Sequence, residues 1–314
     1  MHAAVVRSFD RPPRYEEFPT PAPGAGLLLG DVLAVGLHPR VRSGADGSHY
    51  TSDGRLPLVP GLDGVARLPD GRRVYFVADD DTPGTMAEQA VVDLRRSVPL
   101  PDDADPVVVA AAMNPAMSSW IALRRRVEFR DGMGVLVLGA TGNAGRLAVQ
   151  IARLLGAGRV VGAGRDPERL ALLEGLGASD AVPFDHIAEK AADVDVVLDY
   201  TWGEPTARAI PAVLTRRADR SAPLHWVQIG STAGPDLTVP SAWLRSADLR
   251  ILGSGQGSVT AAGIVAELPS LVDVITAGAL DVAADAVPLA DVEKTWTEPA
   301  GARRRIVFTP GLTE

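Results

Sequence analysis

Three glycines in the middle of the chain have the spacing needed to hold a phosphate group. Gly139, Gly142 and Gly145 follow the apolar run VLVL, and the apolar positions after them recur at helical spacing. A helix N-terminus is therefore expected beside the carboxyl edge of a buried parallel strand, where backbone amides bind anions. The pattern predicts a dinucleotide site, and the alternative is a purely structural turn. The predicted cofactor-binding residues of the turn are Gly139, Thr141, Gly142, Asn143, Ala144 and Gly145.

The end of the next predicted strand, RVVGAG, indicates which dinucleotide binds. An acidic side chain there would bind the ribose diol of NAD, but the strand ends at Gly164 and is followed by Arg165. Arg169 comes one helical turn later, and two guanidiniums suit the additional phosphate of NADP. Asp166 is the competing observation, although DPER also predicts it as the N-cap of a helix that begins at Pro167. NADPH is the predicted cofactor, and a solvated surface charge is the alternative for Arg165.

Strand and helix patterns alternate through this part of the chain. The predicted strands are VLVLG, RVVGAG, DVDVVLDY, HWVQIGS and LRILGSG, and the predicted helices cover about 144–155, 167–176, 206–214 and 261–277. Such alternation predicts a parallel sheet. Because Asp199, Tyr200, Gly230 and Ser231 end two of the strands, we expect them at the cofactor-bearing edge. Tyr200, Gly230 and Ser231 are predicted to contact the cofactor, and Asp199 to cap a loop.

The flanking segments have a different residue pattern. The first hundred residues are rich in proline and glycine with short β-type runs, and the C-terminal run RRRIVFTP returns to that pattern. Between them, residues 107–127 look helical with an interruption at Pro115. We therefore expect two domains: a mainly β domain from residues 1–115 and 279–314, and a dinucleotide-binding domain from residues 116–278.

Composition narrows the range of partners. The chain has 314 residues, a net charge of −8 and no cysteine. The negative charge disfavours nucleic acid as a partner, and the lack of cysteine removes disulfides, thiolate nucleophiles and cysteine-rich zinc sites. The charged, proline-containing start does not resemble a secretion signal, and the run PVVVAAAMNPAM is shorter than a membrane span. We expect a soluble cytoplasmic protein that acts on a small molecule.

Motifs along almost the whole chain resemble the medium-chain dehydrogenase/reductase superfamily, in particular its zinc-independent quinone oxidoreductase branch. The resemblance is carried in order by AAVV and FDRPPRYEEFPTPAPG, LPLVPGLDGVARL, GTMAEQAVV, MSSWIAL, GATGNAGRLAVQIARLLGA, DVDVVLDY, VQIGSTAG and RRRIVFTP. It implies an α/β fold in which a Rossmann domain, a doubly wound parallel sheet, joins a mainly-β GroES-like catalytic domain built from both ends of the chain. Members of the family commonly form dimers, so a homodimer is expected.

The same alignment bears on metal chemistry. Zinc alcohol dehydrogenases of the superfamily use a Cys, a His and a Cys at places where this sequence has His38, Leu62 and Asn114. Leucine cannot bind a metal and asparagine is a poor zinc ligand, so no catalytic metal is expected. Without Lewis-acid activation of an alcohol, reduction by NADPH is the expected direction.

Four further residues are candidates for the chemistry because of the resemblance. Tyr50 is similar to a tyrosine of the quinone reductase cleft, and its phenol would donate to the developing enolate or pack on the substrate; a partly buried tyrosine that supports the proline-rich loop is the alternative. His38 would orient the substrate or supply a proton, and a satisfied core histidine is the alternative. Asn114 would contact the substrate or cap a turn, and Ser118 matches a threonine that bonds the nicotinamide amide.

Together these observations predict hydride transfer from NADPH to a quinone or an α,β-unsaturated carbonyl compound. Two alternatives remain at this stage. One is an enzyme that uses the same cofactor, either a zinc-free alcohol dehydrogenase or an enoyl-thioester reductase. The other is a noncatalytic NADPH-binding or redox-sensing protein that kept the fold without turnover.

Overall fold

The structure is a computed structural model that describes residues 1–49, 51–79, 82–298 and 304–311. The chain divides into two compact units, one formed by Met1–Asn114 with Val265–Glu314 and the other by Pro115–Ile264. The second boundary lies earlier than the 278/279 position expected from the sequence. The reason is that the helix Leu268–Thr276 contacts the strand Ser97–Pro99 of the first unit.

Strands of both units are numbered together in chain order. They are β1 (His2–Val5), β2 (Arg14–Glu17), β3 (Leu28–Gly36), β4 (Asp63–Arg67), β5 (Arg73–Val77), β6 (Gln89–Val92), β7 (Ser97–Pro99), β8 (Gly134–Leu138), β9 (Arg159–Gly164), β10 (Asp180–Pro183), β11 (Val196–Asp199), β12 (Leu224–Gln228), β13 (Leu249–Gly253), β14 (Ala284–Pro288) and β15 (Arg305–Thr309).

The α-helices are numbered in the same way. They are α1 (Pro39–Ala45), α2 (Pro106–Ile121), α3 (Asn143–Leu154), α4 (Pro167–Ala171), α5 (Ile187–Lys190), α6 (Gly203–Arg216), α7 (Ser241–Ser246), α8 (Ala261–Val265), α9 (Leu268–Thr276) and α10 (Val292–Trp296). Short 3₁₀ turns cover Leu94–Arg96, Glu174–Leu176, Phe184–His186 and Leu289–Asp291, and a π-helical turn covers Ala122–Arg126.

The second unit is built on a six-stranded sheet in the order β10-β9-β8-β11-β12-β13, and all its pairs are parallel. This is the strand order of a Rossmann domain, in which the direction of winding reverses between β8 and β11. Strand β8 is apolar throughout because the sheet is covered on both faces, and Val135, Leu136, Val137 and Leu138 are fully buried. The switch point therefore lies directly beside the glycine turn.

The first unit contains a seven-stranded mainly antiparallel sheet in the order β14-β15-β3-β4-β5-β7, with β6 paired to β3. Strands β1 and β2 form a separate antiparallel pair. Only β14 and β15 pair in parallel, and β15 then pairs with β3, which joins the C-terminal segment to the N-terminal one. The core of the unit includes Val35, Phe76, Met86, Val292 and Phe308.

Three helical predictions from the sequence were wrong in extent. Helix α2 runs through Pro115 instead of stopping there, because its apolar side chains are buried along its length and packing outweighs the lost hydrogen bond. The predicted helix 167–176 ends at Ala171. Gly177, directly after the predicted end, lies in the left-handed region with a φ of 99°. The predicted helix 261–277 is two helices, α8 and α9, with Pro269 at the start of the second.

Within the described ranges, one helical stretch, Pro106–Arg126, is long and apolar enough to cross a membrane. Of its most apolar window, 67% is buried inside the protein, as in the core helix of a globular domain. Length and composition alone are weak evidence for a span, and this burial accounts for the apolar character of the stretch.

The end of β3 packs closely against α2 inside the first unit. A Cβ at Gly36 would lie 2.6 Å from the carbonyl oxygen of Ala110, so only glycine allows the strand and the helix to approach this far. His38 follows two residues later and is the N-cap of α1. The glycine therefore determines where the candidate histidine stands relative to α2.

Replacing Gly36 by alanine tests this approach. We expect Gly36→Ala to lower the free energy of unfolding by about 1–3 kcal/mol, because overpacking against backbone forces the strand and the helix apart. Thermal or urea unfolding measures the change. Gly24→Ala is the control, since its Cβ would meet only the Leu27 side chain at 3.8 Å. Equal stability of the two variants would contradict the proposed constraint.

Candidate functional site

The glycine turn after β8 is tied to the neighbouring strand. The backbone N–H groups of Gly139 and Ala140 both donate to the carbonyl of Ala163 in β9, at 3.0 and 2.9 Å. The N–H of Gly142 donates back to the carbonyl of Gly139 at 3.1 Å. Gly139 has a φ of 84°, which favours glycine. The turn is thus held by main-chain hydrogen bonds.

Helix α3 begins immediately after this turn and presents free donors. Gly142 is its N-cap and has no side chain to accept from the first turn, so the amides of Asn143, Ala144 and Gly145 have no partner within the helix. A Cβ at Gly145 would lie 2.2 Å from the carbonyl oxygen of Gly139. The helix can therefore lie against the strand only with glycine here. These amides and the helix dipole suit a pyrophosphate.

The end of β9 fits NADP better than NAD. A Cβ at Gly164 would lie 2.5 Å from Cγ2 of Thr141, so an acidic side chain could not replace this glycine unless Thr141 moved. The next residue, Arg165, is exposed and has no ion-pair partner in the described part of the chain. A guanidinium is thus available where a ribose 2′-phosphate would lie.

Asp166 has the structural role that the sequence offered as its alternative. Its carboxylate accepts from the backbone N–H groups of Glu168 and Arg169, at 3.0 and 3.3 Å, and so caps α4. The Arg169 guanidinium also lies 3.3 Å from the same carboxylate. The two predicted arginines therefore differ: Arg169 is already paired, and Arg165 carries more of the expected phosphate contact.

Ser118 and Tyr200 meet on the other side of the switch point. Their hydroxyl oxygens are 2.8 Å apart, and Ser118 Oγ donates its proton to the carbonyl of Pro115 at 2.6 Å. Since that proton is used, Tyr200 must donate to Ser118. Burial raises the pKa of Tyr200 to about 12, so it remains a donor at neutral pH. Ser118 Oγ keeps one lone pair for an amide N–H group such as that of nicotinamide.

Gly230 and Ser231 follow β12 at the same edge of the sheet. A Cβ at Gly230 would lie 2.8 Å from the carbonyl oxygen of Tyr200, so this glycine gives clearance to the protein's own backbone. Ser231 is exposed. The structure therefore brings together Ser118, Tyr200 and Gly230 by direct contact, and leaves Ser231 accessible at the edge.

In the first unit, His38 belongs to a buried polar cluster. Its Nε2 lies 3.2 Å from Oδ1 of Asp63, and the Tyr75 hydroxyl donates to the other carboxylate oxygen at 2.9 Å. All three side chains are buried, and Nδ1 of His38 has no hydrogen-bond partner among the described residues. The guanidinium of Arg305, also buried, donates to the carbonyl of Leu37 beside the cluster.

This arrangement determines which nitrogen of His38 carries the proton. An ionised carboxylate only accepts, so Nε2 is the donor and Nδ1 is a bare acceptor. Burial lowers the pKa of His38 below 6.5, the charges of Arg305 and Arg40 act in the same direction, and Asp63 opposes them. Burial also raises the pKa of Tyr75 well above 10, which keeps it a donor to Asp63. His38 is therefore a neutral hydrogen-bond acceptor near pH 7.

The remaining two candidates are less constrained. Asn114 lies inside α2, partly exposed, where no turn begins, so the capping alternative was wrong. It follows Ala110 by one helical turn and shares the helix face that packs on Gly36 near His38. Its amide forms no hydrogen bond with the described residues. Tyr50 lies outside the described residues and its role stays a prediction.

The sequence analysis did not single out Asp63 and Tyr75. A signal was present, because an aspartate in the apolar context of LPLVPGLDGVARL is expected to be exposed unless it has donors. Tyr75 lies in the apolar strand β5, where the pattern predicts a core residue. The pairing register of β4 and β5 brings the two side chains together, and the sequence alone does not specify that register.

The three positions that the resemblance aligned with zinc ligands do not supply a full set of metal-binding side chains. His38 keeps an acceptor at Nδ1 with no partner among the described residues, but Leu62 has no donor atom and Asn114 offers only an amide. Across residues 1–49, 51–79, 82–298 and 304–311, there is no group of three or more His, Cys, Asp or Glu side chains that could hold a metal ion.

Known proteins with similar sequences support this fold. The probable NADPH-dependent quinone reductase tdiC of Emericella nidulans is 31% identical over 359 aligned residues, which cover 99% of this chain and all of that protein. The chloroplastic NADPH-dependent alkenal/one oxidoreductase of Arabidopsis thaliana is 28% identical over 55% of this chain and 49% of its own length. No protein-family model matches the sequence.

Among solved structures, the quinone oxidoreductase from Thermus thermophilus, studied alone and in complex with NADPH, is similar with a TM-score of 0.84. It is 26% identical and the match covers 98% of this chain and 100% of that one. The fold and the glycine turn define a two-domain nucleotide-dependent dehydrogenase or reductase. More particularly, the chain belongs to the quinone oxidoreductases of the medium-chain dehydrogenase/reductase superfamily.

The lowered pKa of His38 predicts a pH dependence of stability. Between that pKa and 6.5, the unfolded chain binds a proton that the folded chain does not, so the free energy of unfolding falls as the pH decreases through this window. Urea unfolding from about pH 7.5 to about pH 5.5 should show a shallower slope for His38→Gln than for the wild type. His186→Gln, which removes an exposed imidazole, is the control. Parallel curves for wild type and His38→Gln would contradict the buried neutral state.

Proposed function

We propose that this protein is a zinc-independent oxidoreductase that uses NADPH to reduce a quinone or an α,β-unsaturated carbonyl compound. The observation that carries the proposal is the glycine turn, whose free amides at the start of α3 fit a pyrophosphate. Arg165 is exposed nearby in sequence, with no ion-pair partner among the described residues. The named relatives support both the cofactor and the acceptor class. When bound, NADPH supplies the hydride.

The chain's own residues bind and orient the two halves of this cofactor. The amides of Asn143, Ala144 and Gly145 would hold the pyrophosphate, and Arg165 would hold the 2′-phosphate with a charge-assisted hydrogen bond. At the other half, Ser118 Oγ would accept from the nicotinamide amide, while Tyr200 fixes the orientation of the Ser118 hydroxyl. Such contacts would orient the cofactor toward the acceptor.

Zinc-independence is supported by the chemistry of the donor atoms. Leu62 has no donor atom and Asn114 offers only an amide, so at these three positions the imidazole of His38 is the one strong ligand where zinc would need three. A carbonyl substrate would then be polarised by hydrogen-bond donors. The amide of Asn114 and the phenol of Tyr50 are the proposed donors. His38, as an acceptor at Nδ1, orients the substrate or a water molecule in this scheme.

We propose in addition that the protein is a cytoplasmic homodimer. Strand β13 ends the parallel sheet, and its outer backbone groups have no strand partner among the described residues. Ile251 and Leu252 in this strand are only partly buried. An unpaired strand with apolar residues supports pairing with a second copy of the chain.

Arg165→Ala tests the cofactor assignment. We expect the preference for NADPH over NADH to fall about tenfold, because one charge-assisted hydrogen bond to the 2′-phosphate is lost. Kd values for both cofactors, measured by titration calorimetry, give the ratio. Arg130→Ala is the control, since Arg130 is exposed and, among the described residues, pairs only with Glu128. An unchanged ratio for Arg165→Ala would remove this residue from the site.

A substrate panel tests the proposed reaction. Quinones, enals, enones, enoyl thioesters and simple aldehydes are supplied with NADPH, and the loss of its absorbance is followed. We expect turnover with quinones or with enals and enones, unchanged within about twofold after treatment with a zinc chelator, because no step needs a Lewis acid.

Each other outcome of this panel selects a different function. Turnover with thioesters alone would identify an enoyl-thioester reductase, and turnover with aldehydes alone would identify a zinc-free alcohol dehydrogenase. NADPH binding with no oxidation across the whole panel would favour a redox sensor. Loss of activity on chelation would contradict zinc-independence.

A further inference from the structure

Asp199, at the carboxyl end of β11, is a completely buried carboxylate that is satisfied only by neutral donors. Oδ1 accepts from the backbone N–H groups of Thr201 and Trp202 at 2.8 and 3.0 Å, and from the Thr201 hydroxyl at 2.9 Å. Oδ2 accepts from the Thr206 hydroxyl at 2.6 Å and from the indole N–H of Trp226 at 2.9 Å. Five donors therefore converge on one side chain.

An amide cannot replace this carboxylate. If the Asn oxygen faced the two backbone N–H groups, its NH₂ group would face the indole N–H of Trp226, and two donors would oppose each other. If the amide were flipped, its NH₂ group would face the backbone donors instead. Either orientation leaves at least one buried donor unsatisfied. The site therefore requires two acceptor oxygens at Asp199, which a carboxyl group supplies and an amide does not.

The carboxylate holds the backbone in a conformation that it would not otherwise adopt. Trp202 has φ 52° and ψ −167°, and it is the only non-glycine residue with a positive φ in the described ranges. That region is occupied almost only by glycine, so surrounding contacts must maintain it. The bond from the Trp202 N–H to Asp199 is such a contact, and helix α6 begins at the next residue.

The segment 200–202 is in turn bound to two neighbours. The Tyr200 carbonyl accepts from the N–H and the hydroxyl of Thr232, at 3.3 and 3.0 Å, which binds it to the loop after β12. A Cβ at Gly139 would lie 3.2 Å from Cγ2 of Thr201 and 3.3 Å from Cβ of Tyr200, so the segment also packs against the glycine turn. Asp199 thus fixes a surface at the sheet edge, which we name the β11 platform, residues 200–202.

The strand order indicates which half of the cofactor lies over this platform. In a Rossmann sheet the dinucleotide crosses the switch point, with its adenosine half over the strand that follows the glycine turn. Here that strand is β9, and the platform lies on the opposite side, at the end of β11. The β11 platform therefore faces the nicotinamide half, where Tyr200 orients Ser118.

We propose that Asp199 is a positioning residue for the nicotinamide half of NADPH and acts through Trp202 and through the Tyr200–Ser118 hydroxyl pair. The inference rests on the proposed function, because it concerns the same cofactor site. It assigns the buried carboxylate a role in cofactor geometry beyond that of a loop cap.

The test compares two probes on Asp199→Asn. NADPH needs the platform, whereas adenosine 2′,5′-bisphosphate carries only the adenosine half and its phosphates. We expect the Kd for NADPH to rise about tenfold, because a buried donor is left unsatisfied beneath the platform, and the Kd for the bisphosphate to stay within about twofold. Titration calorimetry, well below the unfolding temperature, measures both.

A second substitution checks the mechanism. Trp226→Phe added to Asp199→Asn removes the indole donor that opposes the new NH₂ group, and we expect it to recover most of the lost NADPH affinity. If Asp199→Asn does not fold, Thr206→Val removes one of the same donors, and we expect its Kd for NADPH to rise about threefold.

Arg217→Met is the matched control for a loss of stability alone. Its buried guanidinium donates to the carbonyls of Ala192 and Val194, before β11 and therefore at the other edge of the same sheet. We expect its unfolding temperature to fall while the ratio of the two Kd values stays that of the wild type. Asp199→Asn, or Thr206→Val where it is used, must change that ratio.

The outcomes separate the inference from the proposed function. If wild-type protein binds neither probe, the proposed function fails. If it binds both and the variants weaken both equally, or neither, Asp199 has only a structural role and the inference is overturned. Loss of NADPH affinity with retained bisphosphate affinity supports it, and recovery by Trp226→Phe assigns the effect to the hydrogen bonds.

Discussion

The contact on which the remaining site geometry depends is the approach of helix α3 to the glycine turn. Gly145 lies so close to the carbonyl of Gly139 that a Cβ would be only 2.2 Å away. This approach places three unpaired amides beside the switch point of the sheet, because the turn itself is anchored to Ala163 by two hydrogen bonds. A helix displaced outward by a side chain would leave those amides too far from the strand ends. Arg165 and Tyr200 can contribute to a dinucleotide site only because of where they lie relative to these amides.

Two buried carboxylates, one in each unit, organise the polar groups around them. Burying an ionised group is costly unless hydrogen bonds replace its hydration. Asp63 meets that requirement with His38 and Tyr75, and Asp199 meets it entirely with uncharged donors. In both cases the partners lose rotational freedom, so the carboxylate fixes orientations as well as satisfying its own oxygens. Orientation is what hydride transfer requires of the protein, since the cofactor supplies the electrons.

How far the sequence could predict the structure depended on whether the determining contacts were local. Strand β9 and helix α3 agreed closely with the expected segments, because apolar periodicity and the glycine spacing act within a few residues. Helix α2 was mispredicted at Pro115, where burial outweighs a local breaker. The Asp199 bonds were also beyond prediction in detail. The donor on Trp226 comes from a different strand, and only the pairing of β11 with β12 brings the indole to the carboxylate.

The protonation state of His38 determines which role this residue can have in the proposed reaction without a metal ion. Asp63 accepts the hydrogen bond from the Nε2–H group, and the lowered pKa keeps Nδ1 unprotonated near neutrality. A residue in that state cannot stabilise negative charge that develops on a carbonyl oxygen, since that oxygen needs a donor. The stabilising donor must therefore be another group, and the Asn114 amide has no hydrogen bond to the described residues and lies on the helix face that packs near His38. A donor at Asn114 with an acceptor at His38 would polarise a carbonyl and hold a water or substrate hydroxyl, which suits reduction of a conjugated carbonyl without a metal ion.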